Sequence, residues 1–204
     1  MSYEYDVFVS YRRELLWTSW TRDHFKKLLT SYLQQELRRK PEIFVDERID
    51  VEADYVQTLA EGLAKPRALV AIFSGDYFTS LWCLHELDLM LDRSGGNPGL
   101  ILPVVVHDCE KLPAPLDRIQ PANFTRFRTP YFCETGIRYE EFSIAVGALA
   151  PPLARVIWSA PVFRDDWVAT CTTRLNAVHG ATNGGTSPDY ARGLAGVAQA
   201  VDRA

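Results

Sequence analysis

With 204 residues, 47% of them hydrophobic, the chain can bury a substantial core, and one domain with an extension is the natural division. Its net charge of −4 and the lack of any basic block argue against a nucleic-acid surface. No stretch approaches the roughly 20 apolar residues that span a bilayer, and Met1 to Asp6 has neither the basic start nor the apolar core of a signal peptide. No membrane partner is therefore expected. Cys83, Cys109, Cys133 and Cys171 are widely spaced, with no CxxC pair and no His at metal-finger distance. They read as reduced structural thiols of a cytoplasmic protein, and no metal site is expected.

Tyr5 to Ser10 is a short apolar strand that ends in a polar cluster, Ser10-Tyr11-Arg12-Arg13-Glu14. A helix follows over about Thr18 to Arg39, with Trp20, Phe25, Leu28, Leu29, Tyr32, Leu33 and Leu37 at helical spacing. Ile43 to Val45 is a second strand, stopped by Asp46-Glu47-Arg48, and a charged loop runs on to Asp54. Tyr55 to Ala64 reads as a helix that ends before Pro66. Ala68 to Phe73 is an unbroken apolar run bounded by Ser74-Gly75, the pattern of a strand buried on both faces of a parallel sheet.

The spacing predicts a helix over Ser80 to Arg93, capped by Thr79 or Ser80. Projected at about 100° per residue, Leu84, Leu87 and Leu91 share one side with Cys83 and Met90 beside them, while His85, Asp88 and Asp92 fall on the opposite, wet side. Trp82 and Leu89 close the arc, and Glu86 lands inside it. A carboxylate there is either an exposed or Arg-paired edge residue, or a pocket carboxylate, with a raised pKa or awaiting a hydroxyl-bearing ligand.

Leu100 to Val106 is a fourth buried strand that ends at His107-Asp108, and Pro103 inside it is expected to mark its first paired residue. The proline-rich stretch from Lys111 to Gln120 reads as a loop or short irregular helix, and Asn123 to Phe127 as an edge strand. A helical pattern from Tyr139 to Trp158 must break or end at Pro151-Pro152. Beyond it, residues 159–204 form an Ala-rich appended segment, with weak helices over Asp165 to Val178 and Pro188 to Asp202.

Five strands alternating with helices imply an α/β sandwich around a mainly parallel sheet, with the ligand crevice beyond the carboxyl ends of the strands. The strand ends Ser10-Tyr11-Arg12, Asp46-Glu47-Arg48, Ser74-Gly75-Asp76 and His107-Asp108 would converge there, with Glu86 able to point into the same place. Polar strand ends also arise simply because they reach water.

Three stretches resemble a TIR (Toll/interleukin-1 receptor) domain of the compact bacterial kind. They are Tyr5-Asp6-Val7-Phe8-Val9-Ser10-Tyr11, then Ile43-Phe44-Val45-Asp46-Glu47, and then Ser74, Tyr77 and Trp82-Cys83-Leu84-His85-Glu86-Leu87, in the family's order and spacing. The loop after the second strand departs from many members, since Asp50-Val-Glu-Ala-Asp54 carries neither Pro nor Gly. The resemblance implies a flavodoxin-like fold over residues 1–158 and, by its enzymatic members, cleavage of the nicotinamide–ribose bond of NAD+.

In that family the Glu of the Trp-Cys-x-x-Glu box is catalytic, which carries over to Glu86. Ser10, Arg12 and Arg48 become candidates for phosphate or ribose contacts, with Asp46 placing the loop and Ser74 and Cys83 joining them as substrate-contacting residues. Tyr11 and Trp82 either stack on a ring of the substrate or pack in the core. Asp6 and Trp20 are read as structural. NAD+ is the substrate and no separate cofactor is implied. The implied partners are other copies of the chain through TIR–TIR contacts and a downstream effector that senses the product, as in Thoeris-type antiphage systems.

The alternative is a non-catalytic adaptor that works by homotypic assembly. A phospho-acceptor receiver domain is excluded because strand one ends in Ser10-Tyr11 and strand three in Phe73-Ser74, where acids would be needed. A deoxyribosyltransferase-like enzyme is disfavoured by the Trp-Cys-x-x-Glu box.

Overall fold

Short apolar runs build the sheet. The computed structural model describes residues 2–45, 55–107, 109, 111–128 and 136–183. Strands β1 (Tyr5–Tyr11), β2 (Ile43–Val45), β3 (Pro66–Phe73), β4 (Ile101–Val105) and β5 (Ala122–Asn123) all pair in parallel, in the order β2-β1-β3-β4-β5. This is the α/β sandwich expected from the alternation of elements, in the flavodoxin-like arrangement that the resemblance implies. Parallel strands covered by helices on both faces need apolar residues at successive positions, and Leu69 to Phe73 are each 1% exposed or less.

Alternation along the strands sorts side chains between two cores. Val7, Val9, Tyr11, Val70, Ile72 and Val104 lie in one, with Trp17, Leu29, Phe142 and Leu153 from helices α1 (Leu15–Ser19), α2 (Lys26–Leu37), α5 (Ile137–Gly147) and α6 (Ala150–Trp158). Phe8, Leu69, Ala71, Phe73 and Val105 lie in the other. There they meet Leu59, Leu87, Met90, Cys171 and Leu175 from α3 (Tyr55–Ala64), α4 (Leu81–Arg93) and α7 (Asp166–Asn183).

The first long helix differs from the single regular one expected over Thr18 to Arg39. It begins at Leu15, passes through a π-helical stretch at Trp20–Phe25 and ends at Leu37, after which Arg38 takes a left-handed φ of 55°. The π-helical turn explains how residues five apart share one face. Trp20 and Phe25 are both fully buried and stack with ring centroids 5.1 Å apart, and the Trp20 indole N–H donates to the Phe127 carbonyl at 2.8 Å.

Pro103 does not start its strand, since Ile101 and Leu102 already pair with Leu69 and Val70. The Val106 N–H donates to Phe73 O, and Val105 O accepts from the Phe124 N–H. Alternate residues of a parallel strand address opposite neighbours, so the missing N–H of Pro103 faces the β5 side. The β5 pairing begins only at Val104, and no ladder bond is lost. Residues 137–158 are long and apolar enough in composition to cross a membrane, yet they form two helices, with Pro151 and Pro152 in the first turn of the second. Phe142, Val146, Leu153 and Ile157 from these helices are core residues.

One expectation for α4 fails. His85 is not on a wet side but only 3% exposed, and Asp88 is half-buried, leaving Asp92 alone exposed. The cause is α7, which packs on α3 and α4, carries Arg174 into an ion pair with Asp92, and encloses His85. Burial, aided by the Arg174 charge, pushes the His85 pKa down to about 4. A helix projection sees one helix at a time and cannot register a later segment that covers its outer face. The second C-terminal helix expected over Pro188 to Asp202 lies outside the described residues.

Candidate functional site

The strand order reverses between β1 and β3, so the crevice of this topology opens where their carboxyl ends diverge. Period two along β1 sends Ser10 to the same face as Phe8, which is the face that α4 covers. The turn after β3 fixes where α4 begins. Tyr77–Thr79 make a 3₁₀ turn, and Ser80 caps α4 by accepting the Cys83 N–H at 3.4 Å. Starting there, the helix carries Glu86 over the end of β1.

The Ser10 hydroxyl donates to Glu86 Oε2 at 2.5 Å. Its oxygen also lies 2.7 Å from the hydroxyl of Tyr77, which is 3.4 Å from the Cys83 carbonyl. The Cys83 S–H donates to the Tyr11 carbonyl at 3.6 Å. Ser10, Tyr77, Cys83 and Glu86 are all buried, with Glu86 7% exposed. The carboxylate inside the apolar arc is therefore buried and accepts a hydroxyl, and is not an exposed edge residue.

Burial raises the Tyr77 pKa well above that of a free phenol, with the Cys83 and Glu86 charges acting in the same direction. Burial pushes the Cys83 thiol up to about 12, reinforced by Glu86 and opposed weakly by Ser80, Arg12 and Arg13. Both groups stay protonated at neutral pH, so Cys83 is a packed donor and not a thiolate nucleophile.

The other expected residues are placed unevenly. Tyr11 reaches the cluster through its carbonyl alone, because the strand pleat turns its ring into the opposite core, and it does not offer a stacking surface beside Glu86. Trp82 is half-buried and packs against the core on the α3, α4 and α7 face. Arg12 stands beyond β1, about 40% exposed, 3.8 Å from Glu14 and close enough for its charge to act on Cys83. Ser74, at the end of β3, accepts the Tyr77 N–H on its carbonyl at 3.0 Å, and its own buried hydroxyl has no partner among the described residues. Asp46 and Arg48 lie outside the described residues, as does the loop to Asp54.

Sequence reasoning missed Tyr77 as a member of the site. Its only signal is an aromatic residue in the turn between a buried strand and the capped start of the next helix, which equally describes a packing residue. Asp6 and Trp20 do take the structural places expected of them. Arg39 donates to both oxygens of the buried Asp6, and the Glu42 N–H donates to one of them at 3.0 Å.

Chemically, an enclosed carboxylate of fixed orientation can stabilise a developing positive charge or grip vicinal hydroxyls. A family model described as TIR domain matches residues 7–134. The chain is 30% identical over 150 residues to Disease resistance-like protein DSC1 of Arabidopsis thaliana, an alignment spanning 73% of this chain and 11% of that protein. It is 37% identical over 106 residues to Protein SUPPRESSOR OF npr1-1, CONSTITUTIVE 1 of the same plant, spanning 52% of this chain and 7% of that one. The chain thus spans only about a tenth of the length of these curated relatives. Among solved structures, the TIR domains of the activated Roq1 resistosome directly recognizing the pathogen effector XopQ align at 20% identity with a TM-score of 0.37, over 86% of this chain and 99% of that one. With its family model matched over more than half its length, this chain belongs to the TIR domain family.

Proposed function

We propose that the chain cleaves the nicotinamide–ribose bond of NAD+, with Glu86 as the catalytic carboxylate. The observation that carries the reading is the position of Glu86, buried at the sheet's switch point with Ser10 donating to one of its oxygens at 2.5 Å. Departure of nicotinamide leaves an oxocarbenium-like ribosyl cation, and a fixed carboxylate beside it stabilises that charge or holds the ribose hydroxyls. Nicotinamide leaves as a neutral base from a cationic pyridinium, so no strong general acid is required and one carboxylate suffices. The unpartnered Ser74 hydroxyl and the Arg12 guanidinium are the described candidates for ribose and phosphate contacts.

Water or an internal nucleophile then captures the cation, giving ADP-ribose or a cyclic or modified isomer. Activity is expected to rise with self-assembly, because neighbouring subunits complete such pockets in the family. A bacterial antiphage setting, with a separate effector sensing the product, rests on the sequence resemblance, whereas the two relatives named above are plant proteins. Phage plating on cells that carry the gene, with and without Glu86→Ala, tests that setting.

The enzymatic reading is tested by incubating concentrated protein with NAD+ and resolving products by mass. Release of nicotinamide by the wild type and none by Glu86→Ala supports it. Turnover undiminished in Glu86→Ala removes Glu86 from the chemistry. A folded but inactive wild type at every concentration favours the adaptor that acts through homotypic assembly.

A further inference from the structure

The hydroxyl pair beside Glu86 has a direction that the distances and donor counts fix. An ionised carboxylate only accepts, and a serine hydroxyl has one hydrogen. With the Ser10 hydrogen on Glu86 Oε2, the 2.7 Å contact between Ser10 and Tyr77 requires Tyr77 to be the donor. The hydrogen bonds then run Tyr77 Oη to Ser10 Oγ to Glu86 Oε2. The second acceptor near Tyr77, the Cys83 carbonyl at 3.4 Å, is too long to compete while the shorter bond is made.

If Glu86 takes up a proton, the whole chain reverses. Glu86 donates to Ser10, Ser10 donates to Tyr77, and Tyr77 turns its hydrogen to the Cys83 carbonyl. Each hydroxyl hydrogen keeps an acceptor in both states. All three side chains are buried, so no water is needed to complete either arrangement. Such aligned hydroxyls polarise one another, and the donor farther from the charge strengthens the nearer one.

We propose that Tyr77 is a positioning residue for Glu86, acting through Ser10: its hydroxyl orients the serine proton onto the carboxylate and so holds that carboxylate ionised and fixed in plane. The proposal deepens the NAD+ reading and rests on it for its catalytic consequence, though not for the hydrogen-bond relay itself. The ring of Tyr77 packs edge-on against Phe73 at 4.7 Å and Phe78 at 5.4 Å, contacts that a phenylalanine would keep. Charged or titratable groups at this end of α4 include Cys83 and His85 on the helix itself and Arg12 and Arg13 beyond β1. None of them is altered by the variants below.

The test is the titration of the Glu86 side-chain carboxyl, followed by its carbon NMR signal in the whole chain. Hydrogen bonds to the charged form hold a carboxylate ionised to lower pH. Ser10→Ala should move the midpoint up by about one pH unit, and Tyr77→Phe by a smaller step in the same direction. The double variant should move it no further than Ser10→Ala alone, because Tyr77 acts only through the serine. An unmoved midpoint in Tyr77→Phe overturns the relay, as does a double variant whose shift is the sum of the two.

NAD+ turnover of the same proteins reads the catalytic consequence. Tyr77→Phe should lower kcat roughly tenfold with KM nearly unchanged, and Ser10→Thr, which keeps the hydroxyl, should retain most of it. A shifted titration in a protein whose wild type does not turn over NAD+ supports the relay and counts against the enzymatic reading instead.

Discussion

A buried carboxylate lies at each end of β1, Asp6 on the strand itself and Glu86 brought over its exit by α4, and the two have different described donors. At the entry, Asp6 is gripped by the Arg39 guanidinium through both oxygens and by a backbone N–H. At the exit, Glu86 accepts the Ser10 hydroxyl, itself backed by Tyr77. A guanidinium that matches a carboxylate two-pronged cancels its charge and saturates its oxygens, which suits a joint between strand and loop. A hydroxyl orients a carboxylate without matching it two-pronged, which suits the proposed site, where a cation would form beside it. Burial alone does not distinguish the two groups, whereas the described donors differ in kind.

The comparison can be sharpened beside Glu86 on α4. His85 is held neutral by burial, with a folded pKa of about 4 against about 6.5 unfolded. Between those values the unfolded chain binds a proton that the folded chain does not, so this contribution to stability is fully present above pH 6.5 and falls as pH drops toward 4. The loss amounts to about 3 kcal/mol at most, from roughly 1.4 kcal/mol per unit. Denaturant titrations from pH 7 to pH 4 should show it, and His85→Leu should flatten that slope. A slope identical in His85→Leu would show that the histidine is not what α7 shields.

At the entry end, Asp6→Ala should lower stability by about 2 kcal/mol, because it strands the Glu42 N–H and frees a guanidinium that is already half-exposed and readily hydrated. Turnover per folded molecule should stay within about twofold of the wild type. A large loss of turnover with unchanged stability would erase the contrast between the two ends. The smallest effect is expected at Lys65, which pairs with Glu4 at 2.8 Å and Glu61 at 2.9 Å, both partners being more than 40% exposed. Lys65→Met should change stability by less than about 1 kcal/mol, and by less still in high salt.

Much of this was legible in the sequence. The apolar runs at 5–10, 43–45, 68–73 and 100–106 lie where strands form, because period and hydrophobicity decide a buried parallel strand locally. Glu86 stood out because a carboxylate in an apolar arc is a local anomaly. What escaped depends on distant partners. The burial of His85 is imposed by α7, some 80 residues later. The π-helical turn at Trp20–Phe25 answers to an aromatic cluster that includes Phe124 and Phe142. Pro103 is tolerated only because β5 starts late, and Tyr77 belongs to the site only because Ser10 of another strand meets it.

The central claim is that the carboxylate charge at position 86 performs the chemistry and is not needed for the fold. It is met most directly by Glu86→Gln, which keeps the shape and removes the charge. The measurement is nicotinamide release from NAD+ per folded molecule, taken beside the unfolding free energy of the same sample. The account predicts that release falls at least about a hundredfold while stability stays within about 1 kcal/mol. Release that persists in a folded Glu86→Gln protein would contradict it.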